Sequence, residues 1–204
     1  NGGEEMSKNI LDRNSYFGKF KDVVLAKFGE EGNEIWKQAG EISARLLSEN
    51  KNAVKDAKTV AYPMAGIYLA LQKKVSKEEA RKLMMDYAPS AGEAAKQRMA
   101  KLTGFPGLPK LIWLNREAIM KSVGSEKKGY RSKIIEVSKE SVTMHVYSCP
   151  IHETLKELGM EEIAPVMCAI DKISTTGIRG VCYHRTKAVA EGDEYYDYYI
   201  TREV

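Results

Sequence analysis

The texture of the chain changes at the polar, turn-rich link Gly124-Ser125-Glu126-Lys127-Lys128-Gly129. Before it, apolar residues recur at helical spacing with few β-branched clusters. After it, Val142, Met144 and Val146 alternate with Thr143, His145 and Tyr147, the period of two that belongs to a strand. A helical pattern cannot be laid down as a half-buried strand, so the link divides the chain into a helical region, 1–123, and an α+β region, 124–204. One compact domain is expected, with the helices packed on the sheet.

Phe17, Phe20, Val24 and Phe28 predict a helix over 12–28 closed by Gly29, and Ile35, Ala39, Ile42 and Leu46 predict another over 31–48. A third over 52–73 should kink or break at Tyr62-Pro63. Ser76-Lys77-Glu78-Glu79 is a capping box that opens a short helix ended by Pro89. Helices are expected again over 91–102 and 110–123, across a loop at 104–109. Beyond the link, 130–137 and 141–147 read as a hairpin around Ser138-Lys139-Glu140. Two short helices follow, 150–158 and 162–174, then strands 177–188 and 194–201. The fold class is α+β: a helical half, then an antiparallel sheet of about four strands in two hairpins joined by two short helices.

Net charge is +4, from 32 basic and 28 acidic residues interspersed along the chain. That is too mild and too mixed to argue for nucleic acid. No apolar run is long enough to cross a membrane, so neither nucleic acid nor membrane is expected as a partner. Three cysteines are an odd count and no disulfide scaffold, which suggests free thiols in a reducing cytoplasm. The first residues carry no signal-peptide pattern, and Met6 offers a start downstream of Asn1.

The chemistry-bearing residues gather in the last third. Cys149 precedes Pro150, which suits the first helical position, so Cys149 is a predicted N-cap. Free amides and the helix dipole there favour a thiolate, and His152 could lie near the same helix end as cation or base. The alternative is a small apolar residue filling a strand-to-helix corner. Cys168 and Asp171 are three apart on one helix face. They are either part of a site or a core cysteine beside a solvated carboxylate; if that helix end is buried, Asp171 needs a partner, and Arg185 is a candidate. With the last hairpin turning around Glu191-Gly192-Asp193, a register in which residue numbers sum to about 382 is expected. That register sets Arg185 opposite Asp197 as an ion pair and puts Cys182 and His184 on the face of Tyr196 and Tyr198. The pairs Cys149-x-x-His152, Cys168-x-x-Asp171 and Cys182-x-His184 match no standard zinc spacing, so no metal is expected. Phosphate loops, dinucleotide fingerprints and serine-hydrolase elbows are absent, and no cofactor is expected.

Cys149, Gly159, Cys168-x-x-Asp171, Arg185-Thr186, Ala190-Glu191-Gly192-Asp193 and Asp197 with aromatic Tyr198 stand in an order that resembles the L-2-amino-thiazoline-4-carboxylic acid hydrolase family. The run from Ala65-Gly66-Ile67-Tyr68-Leu69 to Ser76-x-x-Glu79-Ala80 is similar to that family's helical part. The resemblance implies a hydrolase that opens a cyclic amidine, a thiazoline ring, to a carbamoyl-cysteine. It implies Cys149, Cys168 and Asp171 as catalytic residues, with Arg185, Thr186, Asp193, Asp197 and His152 at the substrate. The family's last motif is Cys-Asp-Phe, whereas this chain has Tyr196-Asp197-Tyr198.

The expected partner is a small-molecule substrate or ligand, and a homo-oligomer is left open. The layout also looks like 4-vinyl reductase-related domains, which implies, as the alternative, a ligand-binding or sensor module without turnover. A third reading, a protein whose helices bind a partner, would be marked by a large exposed apolar helix face. The sequence shows only ordinary amphipathicity.

Overall fold

The computed structural model describes residues 9–203, so the possible start at Met6 lies outside the described residues. Helices precede the link: α1 (Phe20–Phe28), α2 (Glu31–Glu49), α3 (Tyr62–Leu71), α4 (Lys77–Thr103), α5 (Leu108–Leu114) and α6 (Arg116–Val123). After it come β1 (Arg131–Val137), β2 (Ser141–Ser148), α7 (Pro150–Glu157), α8 (Ala164–Ser174), β3 (Val181–His184) and β4 (Tyr196–Arg202). The architecture is α+β, with one antiparallel sheet in the order β1-β2-β4-β3.

Several elements differ from the expectations. The helix expected over 12–28 is a 3₁₀ turn at Ile10–Arg13 and then α1, because Asn14 intervenes. Its side-chain oxygen accepts from the backbone N–H of Tyr16 and Phe17, which competes with the helical ladder. At Tyr62-Pro63 the helix widens rather than breaks: a π turn at Ala57–Ala61 leads into α3. Pro63 has no N–H for the Thr59 carbonyl, and Asn14 Nδ2 donates to that carbonyl instead, at 2.8 Å.

Ser76 Oγ accepts from the Glu79 N–H and caps α4 as expected, but Pro89 does not end that helix. Its ring lies on the exposed face, while Met84, Ala88, Ala91 and Ala95 bury the other. Gly92 brings α4 against α8; a Cβ there would stand 2.8 Å from Ile173 Cβ. This packing outweighs one missing hydrogen bond. Conversely, the single helix expected over 110–123 is divided at Asn115, and its first turn already begins at Leu108.

The inner sheet face carries Val142, Met144 and Val146 of β2, Tyr196 and Ile200 of β4, and Val181 of β3, all buried. Two buried apolar clusters result among the described residues. One unites α1–α4 with α7 and α8, and the other joins the sheet to Trp113 and Met120 of α5 and α6. Cys149 packs against both.

The register of β3 on β4 is one residue away from the expected one: Cys182 pairs with Thr201 and His184 with Tyr199. A slip of one moves every side chain to the opposite face. Tyr183 therefore shares the inner face with Tyr198, while Cys182 is exposed on the outer face. The expected pairing of Arg185 with Asp197 is corrected, since β3 ends at His184.

Candidate functional site

Between the two apolar clusters lies a cavity of about 480 Å³. This is within the range of small-molecule sites. The inner sheet face forms one wall, and α7, α8, the π turn and the inner sides of α5 and α6 form the others. Cys149 reaches it from the β2-to-α7 corner, Cys168 and Asp171 from successive turns of α8, and Arg185 from the residue after β3. His152 lines it from α7. The structure thus gathers Cys149, His152, Cys168, Asp171 and Arg185 in one enclosure.

Arg185 organises the polar end. Its side chain is buried, its Nη2 donates to the Cys168 carbonyl at 2.7 Å, and its Nη1 lies 3.6 Å from Asp171 Oδ2. The guanidinium also stands over the Tyr196 ring, 5.8 Å from its centroid. Burial works against the cation, but neighbouring Tyr183 and Asp171 hold it above its ordinary range. Burial pushes the Asp171 carboxyl up, and Arg185 only partly offsets this.

The thiols depart from expectation. Cys149 is the N-cap of α7, and the first amides of that helix pull its pKa down. Burial outweighs them and pushes the thiol up to about 12. Burial likewise raises Cys168, against the lowering pull of Arg185 and Tyr196. Both are therefore protonated at neutral pH, because low dielectric penalises a thiolate more than one helix end stabilises it. The His152 imidazole makes no hydrogen bond to Cys149. Its Nε2 faces Glu161 Oε1 at 3.3 Å without hydrogen-bond geometry, and both ring nitrogens are buried without a bonded partner.

Thr186, Asp193 and Asp197 lie outside the cavity lining. They form a turn network instead. Asp197 Oδ1 accepts from the backbone N–H of Thr186 and Lys187, its Oδ2 accepts from Thr186 Oγ1, and Asp193 Oδ2 accepts from the Ala188 N–H. Burial opposes the Asp197 charge, yet these donors hold its carboxyl below the usual range. The network pins the chain directly after Arg185 and so aims the guanidinium inward.

Tyr198, one of the dense tyrosines that could line a pocket or simply pack, lines the cavity, and sequence reasoning missed Tyr130, Tyr183 and Arg116, which line it too. Tyr130 donates to Asp56 Oδ2 at 2.6 Å, whereas the Tyr183 hydroxyl and Arg116 Nε are buried without a partner. The correct strand register would have found Tyr183; nothing in the sequence marks Arg116. Tyr196 puts its hydroxyl 3.9 Å from Cys168 Sγ. Among the described residues, no three His, Cys, Asp or Glu side chains gather in metal-binding geometry.

No curated protein matches the chain. Among solved structures it is similar to the Fe(II) unliganded H-NOX protein from K. algicida, at 13% identity over 93% of this chain and 95% of that one, with a TM-score of 0.32. It is also similar to a point mutant of that protein, at 15% identity over 94% and 96%, with a TM-score of 0.32. Residues 56–198, which include every side chain discussed above as part of the site, match the model of one family, described as L-2-amino-thiazoline-4-carboxylic acid hydrolase. The chain belongs to the L-2-amino-thiazoline-4-carboxylic acid hydrolase family.

Proposed function

We propose that the cavity is the active site of a hydrolase that opens a cyclic amidine such as 2-aminothiazoline carboxylate. The observation that carries this reading is the convergence of Cys149, Cys168, Asp171 and Arg185 on one enclosure within the family match. Asp171, with its carboxyl raised toward neutrality, suits a general base better than a solvated carboxylate would. It takes a proton from water as the water oxygen bonds to the amidine carbon. The ring carbon–sulfur bond then breaks, and the sulfur leaves with a proton returned by Asp171. The oxygen becomes the carbonyl of a carbamoyl-cysteine as its remaining proton passes to the former ring nitrogen, whose double bond to the amidine carbon has become single. Arg185 keeps Asp171 oriented and offers its remaining donors to the substrate carboxylate. The protonated thiols of Cys149 and Cys168 flank the reacting ring, and Cys168 is the nearer of the two to Arg185.

Hydrolysis releases one thiol per turnover, so a chromogenic thiol reagent follows it directly. Wild type should release thiol from the thiazoline, and Asp171→Asn should lower kcat by at least about a hundredfold. Thiol release no faster than in protein-free buffer would sink the proposal. Because the base must be ionised, kcat/KM should fall as pH is lowered through the Asp171 pKa, at a midpoint above the ordinary carboxylate value. A pH-independent rate across that range would remove Asp171 from this role.

A ligand-binding module without turnover is the second reading. Two observations favour it: both thiols are held protonated, and Tyr196 stands where the family pattern has a third cysteine. It predicts a rise in melting temperature with the thiazoline and no product.

A further inference from the structure

We infer that the face built by the end of α4, by α5 and α6 and by the adjoining β1 seats on an anionic lipid surface. Ten large hydrophobic side chains are exposed among the described residues, and eight of them fall between positions 102 and 137. Six are Leu102, Phe105, Leu111, Leu114, Ile119 and Val123, between 39% and 64% exposed, and the other two, Ile135 and Val137, lie on β1. Such a concentration of apolar surface exceeds the scatter of single exposed side chains on an ordinary surface. It is the mark that sequence reading reserved for an interaction protein.

The charge coincides with it. Residues 101–139 hold nine basic and three acidic side chains, a net +6, whereas the whole chain carries +4, so all the rest together is −2. An even distribution would have left the face nearly neutral. Aliphatic side chains on a segment rich in Lys and Arg match the interfacial region of a bilayer containing acidic lipids. A second copy of the chain fits worse, because a two-fold contact would bring two net-positive segments together. Nucleic acid would use the charge but leave the leucines without a partner. The helices are too short to enter deeply; no helix of the described residues is long and apolar enough to cross a membrane. Ile119 and Val123 are both exposed and part of the cavity lining, so the cavity opens toward the seated face.

Co-sedimentation with vesicles tests this. The purified chain should sediment with phosphatidylcholine–phosphatidylserine vesicles, stay in solution with phosphatidylcholine alone, and be released by salt. Leu111→Gln with Leu114→Gln changes only exposed side chains and should cut partitioning at least about tenfold. Lys127→Glu with Lys128→Glu should do the same at low salt, and circular dichroism identifies any variant that has unfolded. Failure of the wild type to bind mixed vesicles at low salt overturns the proposal, and so does binding that survives the leucine substitutions. Self-association lost in the leucine variant, without vesicle binding, would assign the face to a second copy and overturn it too.

Discussion

At the scale of single residues, the competition is between burial and local polarity, and at Cys149 burial wins. A thiol held near 12 carries about a thousandfold less thiolate at neutral pH than an unperturbed cysteine. Alkylation near neutral pH should therefore mark Cys182 first, since it is exposed on the outer sheet face, with Cys149 and Cys168 following slowly. Mass spectrometry of a partly labelled sample checks the order. Fast labelling of Cys149 would mean that its thiolate is stabilised far beyond what its surroundings provide. Asp197 shows the opposite balance. Its carboxylate is partly exposed and well supplied with donors, so its charge is favoured in the folded state. Its folded pKa is depressed, so its stabilisation is present above the ordinary carboxylate value and disappears as pH falls through the folded one. Asp197→Ala should cost about 1–3 kcal/mol in denaturant titrations at pH 7 and much less at low pH.

At the scale of elements, α4 is the instructive case. A proline with an exposed ring sits in a helix that continues because its other face is committed to α8. Pro89→Ala should restore the ladder without disturbing that contact and raise stability by about 1–3 kcal/mol in thermal or chemical unfolding. Gly92→Ala should act in the other direction despite the better helix propensity of alanine. The new methyl would meet Ile173 Cβ at 2.8 Å and the Ile170 carbonyl at 3.2 Å. Forcing the two helices apart is expected to cost about 1–3 kcal/mol. A stabilised Gly92→Ala protein would show that the α4–α8 contact yields more easily than its geometry indicates.

For the whole molecule, the two apolar clusters are separated by a cavity instead of merging. A ligand that fills the cavity joins the helical layer to the sheet, so binding should raise the melting temperature. At a hundredfold excess over Kd the gain is about 2.7 kcal/mol. Val146 is buried on the sheet and lines the cavity. Val146→Phe should occupy part of that volume, leaving the fold intact while abolishing the ligand-induced shift. Calorimetry of both proteins with and without the thiazoline distinguishes the two effects.

The α+β class, the switch from helix to strand and the capped start of α4 could be read from the chain alone, because each depends on period or on neighbouring residues. The joining of Cys168 and Asp171 on one helix face was legible for the same reason. The register of β3 against β4 was not, since Gly192 leaves the turn a choice of one residue and that choice flips Cys182 and Tyr183 between faces. Nor could the chain reveal that Asp197 spends its oxygens on the turn after Arg185, which left Arg185 with two candidate carboxylates, Asp171 and Asp197, of which it meets the first. The reactivity of the cysteines and the exposed apolar side of α5 and α6 depend on what other elements cover. Burial is a sum over residues distant in sequence, and that sum exists only once the helices have settled on the sheet.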